Sequence, residues 1–83
     1  MSEIEVRLLE IFRHILKNDK LVLHSNSSSK DVKGWDSLAQ VELIAEMEQV
    51  FQVEFTLRDI INMTSFGSII KLISEKKSNG SVQ

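Results

Sequence analysis

The chain has 83 residues, the length of one small domain, which leaves no room for a second hydrophobic core. It contains 12 acidic and 10 basic residues, a formal net charge of −2, and this balance argues against a general binder of phosphate backbones. The absence of cysteine excludes disulfides, cysteine nucleophiles and cysteine-ligated zinc. Proline is also absent, which disfavours turn-rich all-β architectures.

The beginning of the sequence lacks the features of a targeting segment. Residues 1–5 carry acids where a secretory signal would carry bases followed by an apolar run. The longest uninterrupted apolar stretches have three residues, far short of the roughly 20 that span a bilayer. We therefore expect a cytoplasmic protein that does not insert into membranes.

The first segment predicts an amphipathic helix. Apolar residues recur at helical spacing from Ile4 to Leu16, and Ser2 with Glu5 has the pattern of a capping box. A long polar connection over residues 17–35 follows and has the composition of a loop. Its short apolar run, Leu21–Leu23, is expected to hold this loop against the core.

Two further helices are predicted from their capping residues. Asp36 is a good N-cap, so a second helix should start at Ser37 and run to about Phe51. Thr56 should cap a short helix over residues 57–62.

A last helix should begin after Thr64 or Ser65 and end at Lys76–Lys77, where cations suit the negative end of the helix dipole. Residues 78–83 are interpreted as a disordered tail, and residues 1–77 as one domain. The predicted fold class is all-α: a small four-helix bundle, with three main helices, one short helix and a long loop between the first two.

The second helix carries two apolar stripes. One is the expected core face, with Ile44 at its edge, and consists of Leu43, Met47, Val50 and Phe51. The other consists of Leu38, Val41 and Ala45 and points roughly 140–200° away from the first. This second stripe lies either beneath the long loop or on a surface that docks a partner protein.

The distribution of charge favours the docking interpretation. Residues 36–59 contain six acids and one base, Arg58, a balance of −5, whereas the other residues contain six acids and nine bases, a balance of +3. Acidic side chains therefore flank the outward apolar stripe. Such an acidic rim suits docking to basic patches on other proteins.

No motif assembles a catalytic or metal site. His14 is mid-helix and His24 lies in the loop, outside any HExxH pattern, and Ser37 has no GxSxG context. The glycines are too scattered for a phosphate cradle: Gly34, Gly67 and Gly80. We therefore expect no enzymatic activity, no catalytic residues and no metal.

The likeness to a known family rests on four features: Gly34–Leu38, Val41–Leu43, Phe51 and the helix entry at Met63–Gly67. Through these features the sequence resembles the acyl carrier protein family. The resemblance covers about residues 3–75. The Gly-Trp-Asp-Ser-Leu version is similar to stand-alone carriers outside core fatty acid synthesis and to peptidyl carrier domains. Ala39 and Gln49 stand where fatty acid carriers usually have acids.

The resemblance implies a specific modification. A phosphopantetheinyl transferase would move 4′-phosphopantetheine from coenzyme A onto Ser37, and the thiol of this arm would hold acyl cargo as a thioester. Asp36 would cap the helix and contact the transferase. A phosphodiester at a helix N-terminus also meets unpaired amides and the positive end of the dipole.

The resemblance also implies partners and a cargo site. The partners would be the transferase and acyl-activating, ketosynthase or acyltransferase-type enzymes. Their predicted contacts lie on the second helix, at Leu38, Val41, Glu42, Ala45 and Glu48. Cargo would lie between the second and third helices, near Phe55, Ile60 and Met63.

Three functions stay open at this point. The first is an acyl carrier of fatty acid, polyketide or specialised acyl biosynthesis, and the second is a peptidyl or aminoacyl carrier of a nonribosomal-type pathway. The third is an unmodified helical adaptor that binds one protein through Leu38, Val41 and Ala45. We expect a monomer that does not bind nucleic acid, because the second helix is acidic where a recognition helix needs bases.

Overall fold

A computed structural model describes residues 2–80, with side chains to residue 78. Its helices are α1 (Glu3–Ile15), α2 (Ser37–Phe51), α3 (Leu57–Ile61) and α4 (Phe66–Gly80). The described residues contain no β-strand. The α1–α2 loop covers residues 16–36. The predicted all-α bundle of three longer helices and one short helix is therefore confirmed.

Each helix begins at a side chain that caps its first amides, because these amides have no partner within the helix. The Asp36 carboxylate accepts a hydrogen bond from Ala39 N at 2.8 Å. At the start of α4, Ser68 N donates to Ser65 Oγ at 3.1 Å, and Ser65 N donates to Ser68 Oγ at 2.9 Å. This reciprocal pair identifies Ser65, rather than Thr64, as the cap. The caps of the other two helices are Ser2 and Thr56.

The end of α4 differs from the prediction. The helix continues to Gly80, three residues beyond Lys77, so it includes residues 78–80 of the segment interpreted as a tail. The remaining tail residues, 81–83, lie outside the described residues. Lys77 Nζ donates to the carbonyl of Phe51 at 3.0 Å, so this cation serves the C-terminal end of α2.

The core lies between α1, α2 and α4. Its fully buried side chains come from all three helices: Leu8, Phe12, Leu43, Met47, Ile69 and Ile73. Phe12 makes edge-to-face contacts with the rings of Trp35 and Phe66, at centroid distances of 4.8 and 5.6 Å. On α2, the predicted core face is confirmed, with Ile44 and Val50 partly buried at its edges.

The α1–α2 loop follows the surface of the bundle. Leu21 and Leu23 pack against the core, as predicted, and Arg13 Nε donates to the Leu21 carbonyl at 2.9 Å. Val22 points outward instead and is 67% exposed. The prediction that this run holds the loop against the core is therefore confirmed, through Leu21 and Leu23.

Two loop carbonyls bind the first amides of α4. Phe66 N donates to Ser27 O at 2.9 Å, and Gly67 N donates to Ser25 O at 2.8 Å. The loop backbone lies so close to α4 that no side chain fits at position 67, where a Cβ would lie 2.8 Å from Ser25 O. This close contact between loop and helix explains why glycine occupies the second position of α4.

We expect Gly67→Ala to destabilise the fold by about 1–3 kcal/mol, because the added methyl group must displace the loop backbone. Urea unfolding measures the difference. Ser74→Ala, at an exposed position of the same helix, is the matched control and should have little effect. Equal stability of Gly67→Ala and wild type would show that the loop is not held as described.

Candidate functional site

The chain passes from the core to the surface immediately before α2. Trp35 is only 4% exposed, whereas Asp36 and Ser37 are both exposed. Gly34 allows the chain to turn just before Trp35, because its φ is +90°, a conformation that residues with a Cβ disfavour. Asp36 is extended and caps the helix, so Ser37 is the first residue of α2. The Ser37 hydroxyl is therefore accessible at a helix N-terminus.

A cavity of about 780 Å³ opens beside Ser37. It lies between the first turn of α2, residues 28–30 of the α1–α2 loop and the end of α3. Ile60 and Met63 contribute apolar walls, whereas Gln40 and Lys30 contribute polar ones. Ser37 thus lies in the lining of a cavity whose walls are partly apolar and partly polar.

The predicted cargo residues divide into two groups. Ile60 and Met63 line the cavity, but Phe55 is not among the described residues that do so. Phe55 packs against the core before α3 begins, with Lys76 Nζ 5.7 Å from its ring centroid. The cavity beside Ser37 therefore includes two of the three predicted cargo residues, because Phe55 precedes the N-cap of α3 and the cavity lies at the other end of that helix.

The predicted docking stripe is uncovered. Leu38 is 71% exposed, Val41 is 64% exposed, and Ala45 and Glu42 are also exposed. The alternative that the loop covers this stripe is therefore wrong. Large aliphatic side chains in contact with water are a common mark of a protein interaction surface when they are contiguous.

Glu48 and Ala39 are engaged within the fold. Glu48 is half-buried, and its carboxylate accepts a hydrogen bond from Phe55 N at 2.9 Å. This bond closes the connection between α2 and α3, so the predicted partner contact has a structural role. Ala39, at a position where fatty acid carriers usually have an acid, is buried.

The sequence interpretation missed Gln40. Trp35 Nε1 donates to Gln40 Oε1 at 2.6 Å, and Gln40 Nε2 lies 3.8 Å from the sulfur of Met63. A buried indole N–H usually finds an acceptor, so the buried Trp35 could have signalled a polar partner nearby. Which residue supplies the acceptor depends on the turn between the loop and α2.

The short helix α3, which forms one wall of the cavity, has no buried side chain. An ion pair attaches it to α4: Lys76 Nζ lies 2.7 Å from Asp59 Oδ2, and both side chains are largely shielded from water. The hydrogen bond from Lys76 lowers the pKa of Asp59 below its ordinary value of 3.8, and the backbone N–H of Thr56 adds to this effect.

The described residues contain neither a metal cluster nor a membrane-spanning helix. Residues 2–80 contain no group of three or more His, Cys, Asp or Glu side chains that could hold a metal ion. None of the helices in this range is long and apolar enough to cross a membrane.

Comparisons with known proteins identify the family of this chain. The phosphopantetheine attachment site family, PP-binding, matches residues 6–73. The chain belongs to this family. Members of this family work as non-catalytic carriers through covalently attached 4′-phosphopantetheine, and residues 6–73 of this chain form such a carrier.

Two relatives are much longer than this chain. The chain is 42% identical over 65 residues to a nonribosomal peptide synthetase of Aspergillus ustus, and 33% identical over 67 residues to a non-reducing polyketide synthase of Didymella fabae. These matches cover 78% and 76% of this chain, but only 3% and 2% of the relatives. The chain thus spans a small fraction of the length of both synthases.

A solved structure matches nearly the whole chain. The solution structure of a holo acyl carrier protein from Geobacter metallireducens superposes with a TM-score of 0.90 and is 26% identical. The match covers 99% of this chain and 94% of the bacterial carrier. The resemblance to acyl carrier proteins is therefore confirmed.

We expect the ion pair that holds α3 to make the stability of this carrier depend on pH. Because the folded pKa of Asp59 is lowered, its contribution is present above the ordinary value of 3.8 and is lost as the pH falls through the folded pKa. We expect Asp59→Asn and Lys76→Gln to be less stable than wild type at neutral pH. The difference should shrink in acid.

Urea unfolding of the three proteins, from pH 7 to about pH 2, measures this convergence. Asp59→Asn keeps an acceptor for the amide of Thr56, so the comparison isolates the charge. Three parallel curves over the whole pH range would contradict the ion-pair interpretation.

Proposed function

We propose that Ser37 is the residue to which 4′-phosphopantetheine is attached. The observation that supports this most strongly is an exposed hydroxyl on the first residue of α2, beside a cavity of about 780 Å³. Asp36 determines where α2 starts, and so it determines where this hydroxyl projects. A visiting transferase can reach the hydroxyl without any change in the fold.

The surroundings of Ser37 fit the chemistry of the group. The phosphodiester is an anion, and the N-terminus of α2 provides backbone N–H groups and the positive end of the helix dipole. Lys30 adds a cation at the cavity wall. When bound, the group supplies a flexible arm whose thiol holds cargo as a thioester. The residues of this chain orient the arm and present it to partners.

Incubation with coenzyme A, Mg²⁺ and a broad-specificity phosphopantetheinyl transferase tests the attachment residue. We expect the intact mass to rise by one phosphopantetheinyl group and Ser37→Ala to abolish the gain, because the substitution removes the hydroxyl that would accept the group. Ser29→Ala is the matched control, since Ser29 lines the same cavity. Loading of Ser37→Ala would contradict the proposal, and so would an unmodified wild type under conditions that load a known carrier.

We further propose that the exposed stripe of Leu38, Val41 and Ala45, with Glu42 beside it, docks the transferase and the enzymes that use the loaded arm. The stripe begins one residue after Ser37, so an enzyme bound there has the arm within reach. The charge balance of −5 over residues 36–59 favours partners with a basic surface around an apolar contact.

Val41→Asp should slow loading by the transferase at least tenfold, because a carboxylate would be buried without a partner in the interface. Far-UV circular dichroism should stay unchanged, since Val41 is 64% exposed. Val22→Asp is the matched control, with the same substitution at a valine that is 67% exposed and distant in sequence. Equal loading rates for the two variants would contradict docking through α2.

The relatives, rather than the geometry of the site, support two candidate cargoes. The likeness to the bacterial acyl carrier favours an acyl carrier, served by acyl-activating, ketosynthase or acyltransferase-type enzymes. The 42% identity to a segment of a nonribosomal peptide synthetase favours a peptidyl or aminoacyl carrier as the second candidate. Mass spectrometry of the holo protein after incubation with adenylating and acyl-activating enzymes distinguishes the two cargoes.

A further inference from the structure

The side-chain amide of Gln40 is held in one orientation at the edge of the cavity. Its oxygen accepts the hydrogen bond from the indole N–H of Trp35 at 2.6 Å. Trp35 is 4% exposed and packs edge-to-face on Phe12, so the indole cannot turn away without disturbing the core. The amide nitrogen of Gln40 must therefore point to the opposite side.

The nitrogen of this amide has a weak partner. Gln40 Nε2 lies 3.8 Å from the thioether sulfur of Met63, and a thioether is a poor acceptor compared with a carbonyl oxygen. Gln40 and Met63 both line the cavity beside Ser37. The wall of this cavity thus contains an amide N–H donor whose described partner is a weak acceptor.

Gln40 also lies on the same side of α2 as Ser37. The two residues are three positions apart, a spacing that makes side chains neighbours on a helix. The 4′-phosphopantetheine arm contains two amide groups, whose carbonyl oxygens accept hydrogen bonds from amides. An arm attached to Ser37 would bring such carbonyls to the cavity that Gln40 lines.

We propose that Gln40 is a positioning residue for the arm: its Nε2–H group donates to an amide carbonyl of 4′-phosphopantetheine, in place of the contact with Met63. This inference rests on the proposed attachment at Ser37. Trp35 acts indirectly, since its indole keeps the oxygen of Gln40 occupied and the nitrogen turned to Met63 in the cavity wall. The interaction biases the arm toward the α2–α3 side of the bundle.

NMR spectroscopy of ¹⁵N-labelled protein before and after loading tests this proposal, with intact mass recorded for every sample. In wild type, loading should shift the side-chain amide signals of Gln40 and the indole N–H signal of Trp35. Nuclear Overhauser contacts should appear between the arm and the side chain of Met63. A fully loaded wild type with unchanged Gln40 signals would overturn the inference.

The variant Gln40→Glu removes the N–H donor of this side chain while keeping an acceptor oxygen. The carboxylate can still accept from Trp35 Nε1 but has no N–H to donate. The variant should gain the mass of the arm and lose the contacts between the arm and Met63. Gln49→Glu, the same substitution at an exposed position of α2, is the control and should keep them.

The outcomes distinguish the two proposals. Persistence of the arm contacts in loaded Gln40→Glu would overturn the role of Gln40 while leaving attachment at Ser37 intact. A wild type that gains no mass would instead count against the attachment site. If Gln40→Glu fails to fold, the shift or constancy of the Gln40 signals in loaded wild type decides the question.

Discussion

The packing of Trp35 against Phe12 determines the geometry of the site. The ring centroids are 4.8 Å apart in an edge-to-face arrangement, and this contact holds the end of a long loop at the core. Because α2 begins immediately afterwards, the cap residue Asp36 and the hydroxyl of Ser37 must emerge at the surface. The same indole orients Gln40, so one aromatic contact positions both the serine and a wall of the cavity beside it.

The helices were predictable because their starts are encoded by short-range interactions. Asp36 and Thr56 bind amides three residues further along, and such pairs can be found in the sequence. The outward direction of Leu38 and Val41 also follows from helical periodicity. Periodicity does not show whether another segment covers the stripe of Leu38, Val41 and Ala45. In the structure the α1–α2 loop leaves it exposed.

Contacts between distant segments cannot be predicted in this way. Ile60 and Met63 line the cavity whereas Phe55 lies at the other end of α3, and only the assembled bundle shows which end meets the cavity. The hydrogen bond between the Glu48 carboxylate and the amide of Phe55 is also visible only in the folded chain. Lys77 likewise binds a carbonyl 26 residues away. Such hydrogen bonds depend on tertiary structure, which no local pattern specifies.

The Ser37 hydroxyl is accessible at the N-terminus of α2. The central proposal is that the prosthetic arm is attached to this residue, and peptide mapping after digestion with trypsin tests it directly. Cleavage after Lys33 and Arg58 releases the peptide 34–58, in which Ser37 is the one serine. Tandem mass spectrometry of the loaded protein should find the phosphopantetheinyl group on this residue. Its presence on any other peptide, with 34–58 unmodified, would contradict the account.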